Sequence, residues 1–178
     1  LEITLIPRPC PRLLADVLTR RASRLDSALR ITAAQRLEPC EPGPTGPDGK
    51  GFRIAVLPPP RFLVFGQGEE ATVFAGLVRA AGYPHLLLSP DPTTLAKARS
   101  GGMDTRQLHW PALPTDLQID GRSAVVLFFH DHDWEPPILA RALESPAFYI
   151  GAQGSRRARD TRLESLRQLG VTKGLDRL

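Results

Sequence analysis

From residue 61 onward the chain alternates short, almost wholly apolar runs of strand length with longer segments whose apolar residues recur at helical spacing. The runs at 61–65, 85–89, 123–129 and 148–150 are each followed by a helix-patterned segment, at 70–81, 93–99, 135–144 and 155–169. A strand that is apolar at nearly every position is buried on both faces, and a helix between two strands returns the chain so that they lie parallel. The pattern predicts a parallel sheet with helices on both faces, and 178 residues with 42% apolar content suffice for one such core. Gly82 and Gly170 fall where helix C-termini are expected.

The first third reads differently. Residues 2–6 alternate like a strand, 11–24 carry Leu13, Leu14, Val17 and Leu18 at helical spacing behind Pro11, and strands are expected at 28–33 and 52–57. Between them, residues 39–51 hold Pro39, Pro42, Gly43, Pro44, Gly46, Pro47, Gly49 and Gly51, which predicts a loop without regular structure. Pro58-Pro59-Pro60 lacks three consecutive amide protons and cannot continue a paired strand, so it marks a stiff junction. The expected organisation is a small α+β segment over 1–57, then an α/β domain over 58–178.

No run approaches the roughly 18 apolar residues of a membrane span, and the start lacks the layout of a signal peptide, so a cytoplasmic protein without a membrane partner is expected. The 23 basic residues are dispersed among 19 acidic ones, which argues against nucleic acid as a partner despite a net charge of +4. Cys10 and Cys40 are too few for a disulfide framework or a cysteine metal site.

Open α/β sheets gather their ligands at the carboxyl ends of the strands, and three such ends are chemically marked. The run 62–65 passes into Gly66-Gln67-Gly68-Glu69-Glu70-Ala71, a Gly-x-Gly-x-x-Ala turn that opens a helix, as in sites where backbone amides meet a pyrophosphate. Glu69 and Glu70 oppose that use, because carboxylates in the first turn satisfy the amides and repel phosphate. The acid expected on a ribose is also not clean, since Leu88 is followed by Ser89-Pro90-Asp91. A dinucleotide site and a purely structural Rossmann turn both remain open.

The second end is His130-Asp131-His132-Asp133. In an extended chain His130 and His132 face one way, suited to a proton relay, a polar heterocycle or a metal; a metal would need a third ligand, with only His85 and His109 left among histidines. The plainer alternative is a solvated loop whose Asp133 caps the next helix. The third end, Gly151-Ala152-Gln153-Gly154-Ser155-Arg156-Arg157, places guanidinium groups at a helix N-terminus, where they oppose the dipole unless an anion joins them. A phosphate cradle is expected; the alternative is that Ser155 merely caps the helix and the arginines face water, Asp160 or Glu164. The three ends are expected to outline one pocket.

The combination of Pro59-Pro60-Arg61 before Phe65-Gly66-Gln67-Gly68, then Phe129-His130-Asp131-His132, then Phe148-Tyr149-Ile150-Gly151-Ala152-Gln153-Gly154-Ser155-Arg156-Arg157 resembles the Rossmann portion of the XdhC/CoxI family, the xanthine dehydrogenase accessory factors. The likeness is specific over 123–170, looser over 58–90 and only positional over 1–57. It implies a maturation role: binding molybdenum cofactor, as molybdopterin or its dinucleotide form, aiding its sulfuration through a cysteine desulfurase, and handing it to a molybdenum hydroxylase such as xanthine dehydrogenase. In that role Gly66, Gln67 and Gly68 would shape one wall, His130, Asp131 and His132 would lie beside the heterocycle, and Gly151, Gly154, Ser155, Arg156 and Arg157 would hold the phosphate. The expected protein is a cofactor chaperone more than a catalyst, and a homodimer is compatible with it.

The chain departs from the family in three places. The family's Gly-Ser-Val-Ser-Gly-Gly-Cys run has no counterpart, so Cys10 and Cys40 inherit no role; Glu69-Glu70 stands where the family places His and an apolar residue; and the Pro-Ile-Gly-Leu segment is missing. A piece of a longer protein or a trimmed relative is expected. Two further functions fit the same residues: an NAD(P)-dependent oxidoreductase with His130 or Tyr149 as proton donor, and a ligand-free interaction module whose pocket Glu69 and Glu70 have closed.

Overall fold

The computed structural model describes Ile6 and residues 9–178. The strand expected at 2–6 lies, apart from Ile6, outside the described residues. The chain divides between Pro58 and Pro59 into two compact units.

In the first unit α1 (Pro11–Ala22) starts on its proline. It is followed by β1 (Ser27–Thr32), β2 (Leu37–Cys40), β3 (Gly46–Pro47) and β4 (Gly51–Val56), an antiparallel sheet in the order β2-β1-β4-β3. Strands β2 and β3 correct the expectation that 39–51 lacks regular structure. Both are edge strands, so Pro39 and Pro47 can sit in them without removing a bond from the middle of a ladder. The turn before β4 is held by Asp48, whose carboxylate accepts Arg30 Nε at 2.8 Å and Arg53 Nη2 at 3.3 Å. The Arg30 hydrogen bond is the main reason that the Asp48 pKa lies below the ordinary carboxylate value.

The second unit runs β5 (Arg61–Gly66), α2 (Gly68–Ala80), β6 (His85–Ser89), α3 (Pro92–Ser100), β7 (Thr105–Gln107), β8 (Ser123–Phe128), α4 (Glu135–Leu143), β9 (Tyr149–Ala152) and α5 (Arg156–Gln168). All neighbours are parallel, in the order β7-β6-β5-β8-β9, which is a Rossmann-like α/β sheet. Strand β7 was not expected, because Thr105-Arg106-Gln107 carries no apolar run. An edge strand buried on little of its surface needs none. Alternate residues of the inner strands feed two cores. Leu63, Phe65, Val125 and Leu127 pack with Ile138, Leu139 and Leu166 of α4 and α5, whereas Val64 and Leu87 pack with Ala71, Ala75 and Ala98 of α2 and α3. The helices therefore cover both faces. Each large side chain so buried contributes roughly 1.5–3 kcal/mol.

Gly82 and Gly170 sit just beyond α2 and α5, their N–H groups bonded to the carbonyls of Arg79 and Arg167, as the glycine spacing predicts. The chain lays β6 and β7 on one side of β5 and then crosses back through the loop at 108–122 to lay β8 and β9 on the other. The carboxyl ends of β5 and β8 thus flank the topological switch point, where such sheets open a crevice. Among the described residues no helix is long and apolar enough to cross a membrane.

Candidate functional site

At the switch point the two strand ends meet closely. Gly66 has φ +153°, and a Cβ there would lie 2.3 Å from the Phe128 carbonyl oxygen, so this glycine is required by the approach of β8. Gln67 N–H donates to the same carbonyl at 3.2 Å. Across the crevice His130 Nε2 lies 3.3 Å from Glu70 Oε2, a contact that becomes an ion pair when the imidazole is protonated. Both side chains are exposed, so the pair contributes little to stability.

The start of α2 is filled by the chain's own groups. The Gly68 N–H donates to Thr94 Oγ1 at 2.9 Å, and that hydroxyl donates to Asp91 Oδ2 at 2.5 Å. Glu69 pairs with Lys97, and Glu70 faces His130. Asp91, the acid nearest the end of β6, accepts the Thr93 and Thr94 amides at 3.2 and 2.8 Å and so caps α3. The Thr94 hydroxyl and then its amide hold the Asp91 pKa below the ordinary carboxylate value. A phosphate at this helix start would have to displace a hydroxyl and face two carboxylates.

The loop after β8 departs from its expected geometry. His132–Trp134 forms a 3-10 turn, so the backbone is not extended there, contrary to the extended chain expected from the sequence. Asp131, not Asp133, makes the turn: its Oδ1 accepts Asp133 N–H at 3.1 Å, and α4 begins without a side-chain cap. Among the described residues no three His, Cys, Asp or Glu side chains are grouped to hold a metal ion.

The third strand end has the opposite character. Ser155 Oγ accepts Ala158 N–H at 3.2 Å and caps α5, whose first turn has no acidic residue. Arg156 and Arg157 are exposed, and among the described residues neither guanidinium has a protein partner. Beside them runs a cleft of about 400 Å³ along β9, walled by Tyr149–Ala152, Gly154, Ser155, Arg156, Arg159, Arg162, Arg177 and Leu178. Three of its arginines are committed: Arg159 Nη2 donates to the Leu178 carbonyl at 3.1 Å, Arg177 Nη1 donates to the Leu143 and Ser145 carbonyls, and Arg162 is buried. Arg156 is the one guanidinium of this wall left open among the described residues, and Arg157 does not line it.

The expectation of one pocket framed by three strand ends does not hold for this cleft, since every residue of its wall comes from 149–178. What joins the loops after β8 and β9 is a buried ion pair absent from the sequence expectations. Arg162 Nε donates to Glu135 Oε2 at 2.8 Å and Nη2 to the Gln153 carbonyl at 3.0 Å, with side-chain exposures of 3% and 1% for Arg162 and Glu135. Glu135 opens α4 directly after the His130 loop, and Gln153 opens the turn to Ser155, so one guanidinium ties both. The available signal was position: Arg162 falls on the apolar stripe of α5 beside Leu163 and Leu166.

The donor set at Ser155 fits a phosphate, with helix-start amides, an aligned dipole and an open guanidinium. Comparisons with known proteins agree with the fold. Residues 62–178 match the family model described as the XdhC Rossmann domain. The molybdenum cofactor insertion chaperone PaoD of Escherichia coli (strain K12) is 32% identical over 162 residues, covering 90% of this chain and 45% of that protein. The chain therefore spans less than half the length of this curated relative. A crystal structure described as a xanthine dehydrogenase from Bacillus halodurans superposes with a TM-score of 0.67 at 16% identity, over 86% of this chain and 55% of that one. At that identity the likeness speaks for the fold alone. The match over residues 62–178 places this chain in the XdhC/CoxI family, as a bearer of its Rossmann domain.

Proposed function

We propose that this chain is an accessory protein in molybdenum cofactor maturation, which binds the cofactor through its phosphate and assists sulfuration and insertion into a molybdenum hydroxylase of the xanthine dehydrogenase type. The observation that carries this reading is the start of α5, where the open guanidinium of Arg156 and free helix-start amides face a cleft with no carboxylate in the first turn. Family membership and the insertion-chaperone relative support the cofactor as the source of that phosphate. Ser155, Arg156 and Gly154 would hold the phosphate, with Arg157 outside the cleft adding only long-range attraction. Gly66, Gln67, Gly68, His130, Asp131 and His132 would then form a separate surface at the switch point, available to the acceptor enzyme or a cysteine desulfurase. The units that meet at Pro58 and Pro59 would be separate domains.

An NAD(P)-dependent reaction is less well supported, because Thr94, Glu69 and Glu70 fill the helix start that a pyrophosphate would use. The deciding experiment is a titration with molybdenum cofactor released from a donor enzyme, with NAD and NADP in parallel. Micromolar or tighter binding of the cofactor with inert nicotinamides is the expected result, and a preference for a nicotinamide would overturn the proposal.

A further inference from the structure

Tyr149 and Gly151 lie two residues apart on β9, so their side-chain positions share one side of the strand. The space a Cβ would take at Gly151 is occupied by the Tyr149 ring: Oη, Cε1 and Cζ lie 2.6, 2.8 and 2.9 Å from that point. The ring thus leans along its own strand over the glycine, toward the Ser155 turn. Ile150 between them is buried in the core shared with α4 and α5, which anchors the strand beneath. Tyr149 is nevertheless 54% exposed, lines the cleft, and its hydroxyl has no hydrogen-bond partner among the described residues.

A ring held in one place by a missing side chain, yet open on its other surface, is a preorganised stacking surface. Ser155 lies four positions beyond Gly151, at most about 14 Å of extended chain, so aromatic ring and phosphate donors lie within reach of one nucleotide-sized ligand. We infer that Tyr149, seated on Gly151, is the stacking platform for a planar heterocycle whose attached phosphate lies at Ser155 and Arg156, an inference that rests on the phosphate reading proposed above. A pterin and a nucleobase share this chemistry.

The test is an equilibrium titration of the chain with guanosine monophosphate, a hydroxymethylpterin phosphate and ribose phosphate. The two aromatic ligands are expected to bind about tenfold tighter than ribose phosphate, or more, the effect of stacking one base on an aromatic side chain. Tyr149→Leu removes that advantage and leaves ribose phosphate binding unchanged, while Tyr149→Phe keeps the advantage. Gly151→Ala, which evicts the ring, behaves like Tyr149→Leu. If circular dichroism shows that one variant has not folded, the other carries the comparison, and the wild-type ranking of the three ligands decides by itself if neither folds. Equal wild-type affinities, or a preference that survives Tyr149→Leu, overturn the platform and leave the phosphate reading standing. Failure of all three ligands to bind overturns both. Whichever aromatic ligand binds more tightly identifies the source of the heterocycle.

Discussion

The helices that follow β5 and β9 start with the same outline, a parallel strand, a glycine turn and then a helix, and they differ in what occupies the first turn. At α2 the chain supplies Glu69 and Glu70, and its first amide already bonds to Thr94. At α5 it supplies Arg156 and Arg157, with a serine cap and no carboxylate. A helix start carries positive potential in both cases, so the acidic one is neutralised from within, whereas the basic one has no carboxylate of its own in its first turn. A glycine pattern reports that the backbone can come close to something; the charges around it decide whether that something is the protein or a ligand.

The largest expected effect lies beneath the basic end. Arg162→Ala or Glu135→Ala leaves a buried charge without its partner and should cost about 3–5 kcal/mol in denaturant unfolding. A double change to apolar residues of similar volume should recover much of that loss. Recovery of stability without recovery of phosphate binding would show that the pair positions the Ser155 turn as well as supporting the fold.

At the acidic end, Gly66→Ala forces a Cβ against the Phe128 carbonyl and should destabilise by on the order of 1–3 kcal/mol. If that glycine serves packing, phosphate affinity in the folded variant is unchanged. Arg156→Ala should weaken binding of a phosphate ligand about tenfold, as loss of a charge-assisted contact does, with Arg157→Ala changing it less. Equal effects of the two would return the site to the whole 151–157 segment. Glu69→Gln with Glu70→Gln should leave that affinity unaltered, and a gain would mean that α2 also receives phosphate once its carboxylates are removed.

A smaller effect concerns acid stability. The folded pKa of Asp91 lies below its unfolded value, so its stabilisation is fully present above the ordinary carboxylate pKa of about 4 and is lost as pH falls through the lower folded value. Asp91→Asn should therefore show a shallower loss of melting temperature on acidification than wild type. The smallest change is expected for His130→Ala, whose exposed contact with Glu70 should leave the melting temperature within error.

Much of the fold was legible because burial leaves an apolar signature: 61–65, 85–89, 123–129 and 148–150 mark four of the five strands by composition alone. Strand β7 left none, being a short polar edge, and Pro39 concealed β2 because proline is tolerated only at the edge position that the tertiary arrangement gave it. At the site, the basic first turn of α5 could be read directly. The 3-10 turn at His132 and the inward direction of Arg162 could not, since each depends on how α4 packs.

By itself the sequence determined the alternating α/β order, the glycine-closed ends of α2 and α5 and the charge of each helix start, because these follow from local composition and spacing. Only the tertiary structure decided which strands are neighbours, that Glu70 faces His130 while Lys97 takes Glu69, and that Tyr149 and Arg156 share a cleft that Arg157 does not enter. Those outcomes depend on side chains distant along the chain or on opposite sides of one helix turn, and a linear pattern carries no record of which of them meet.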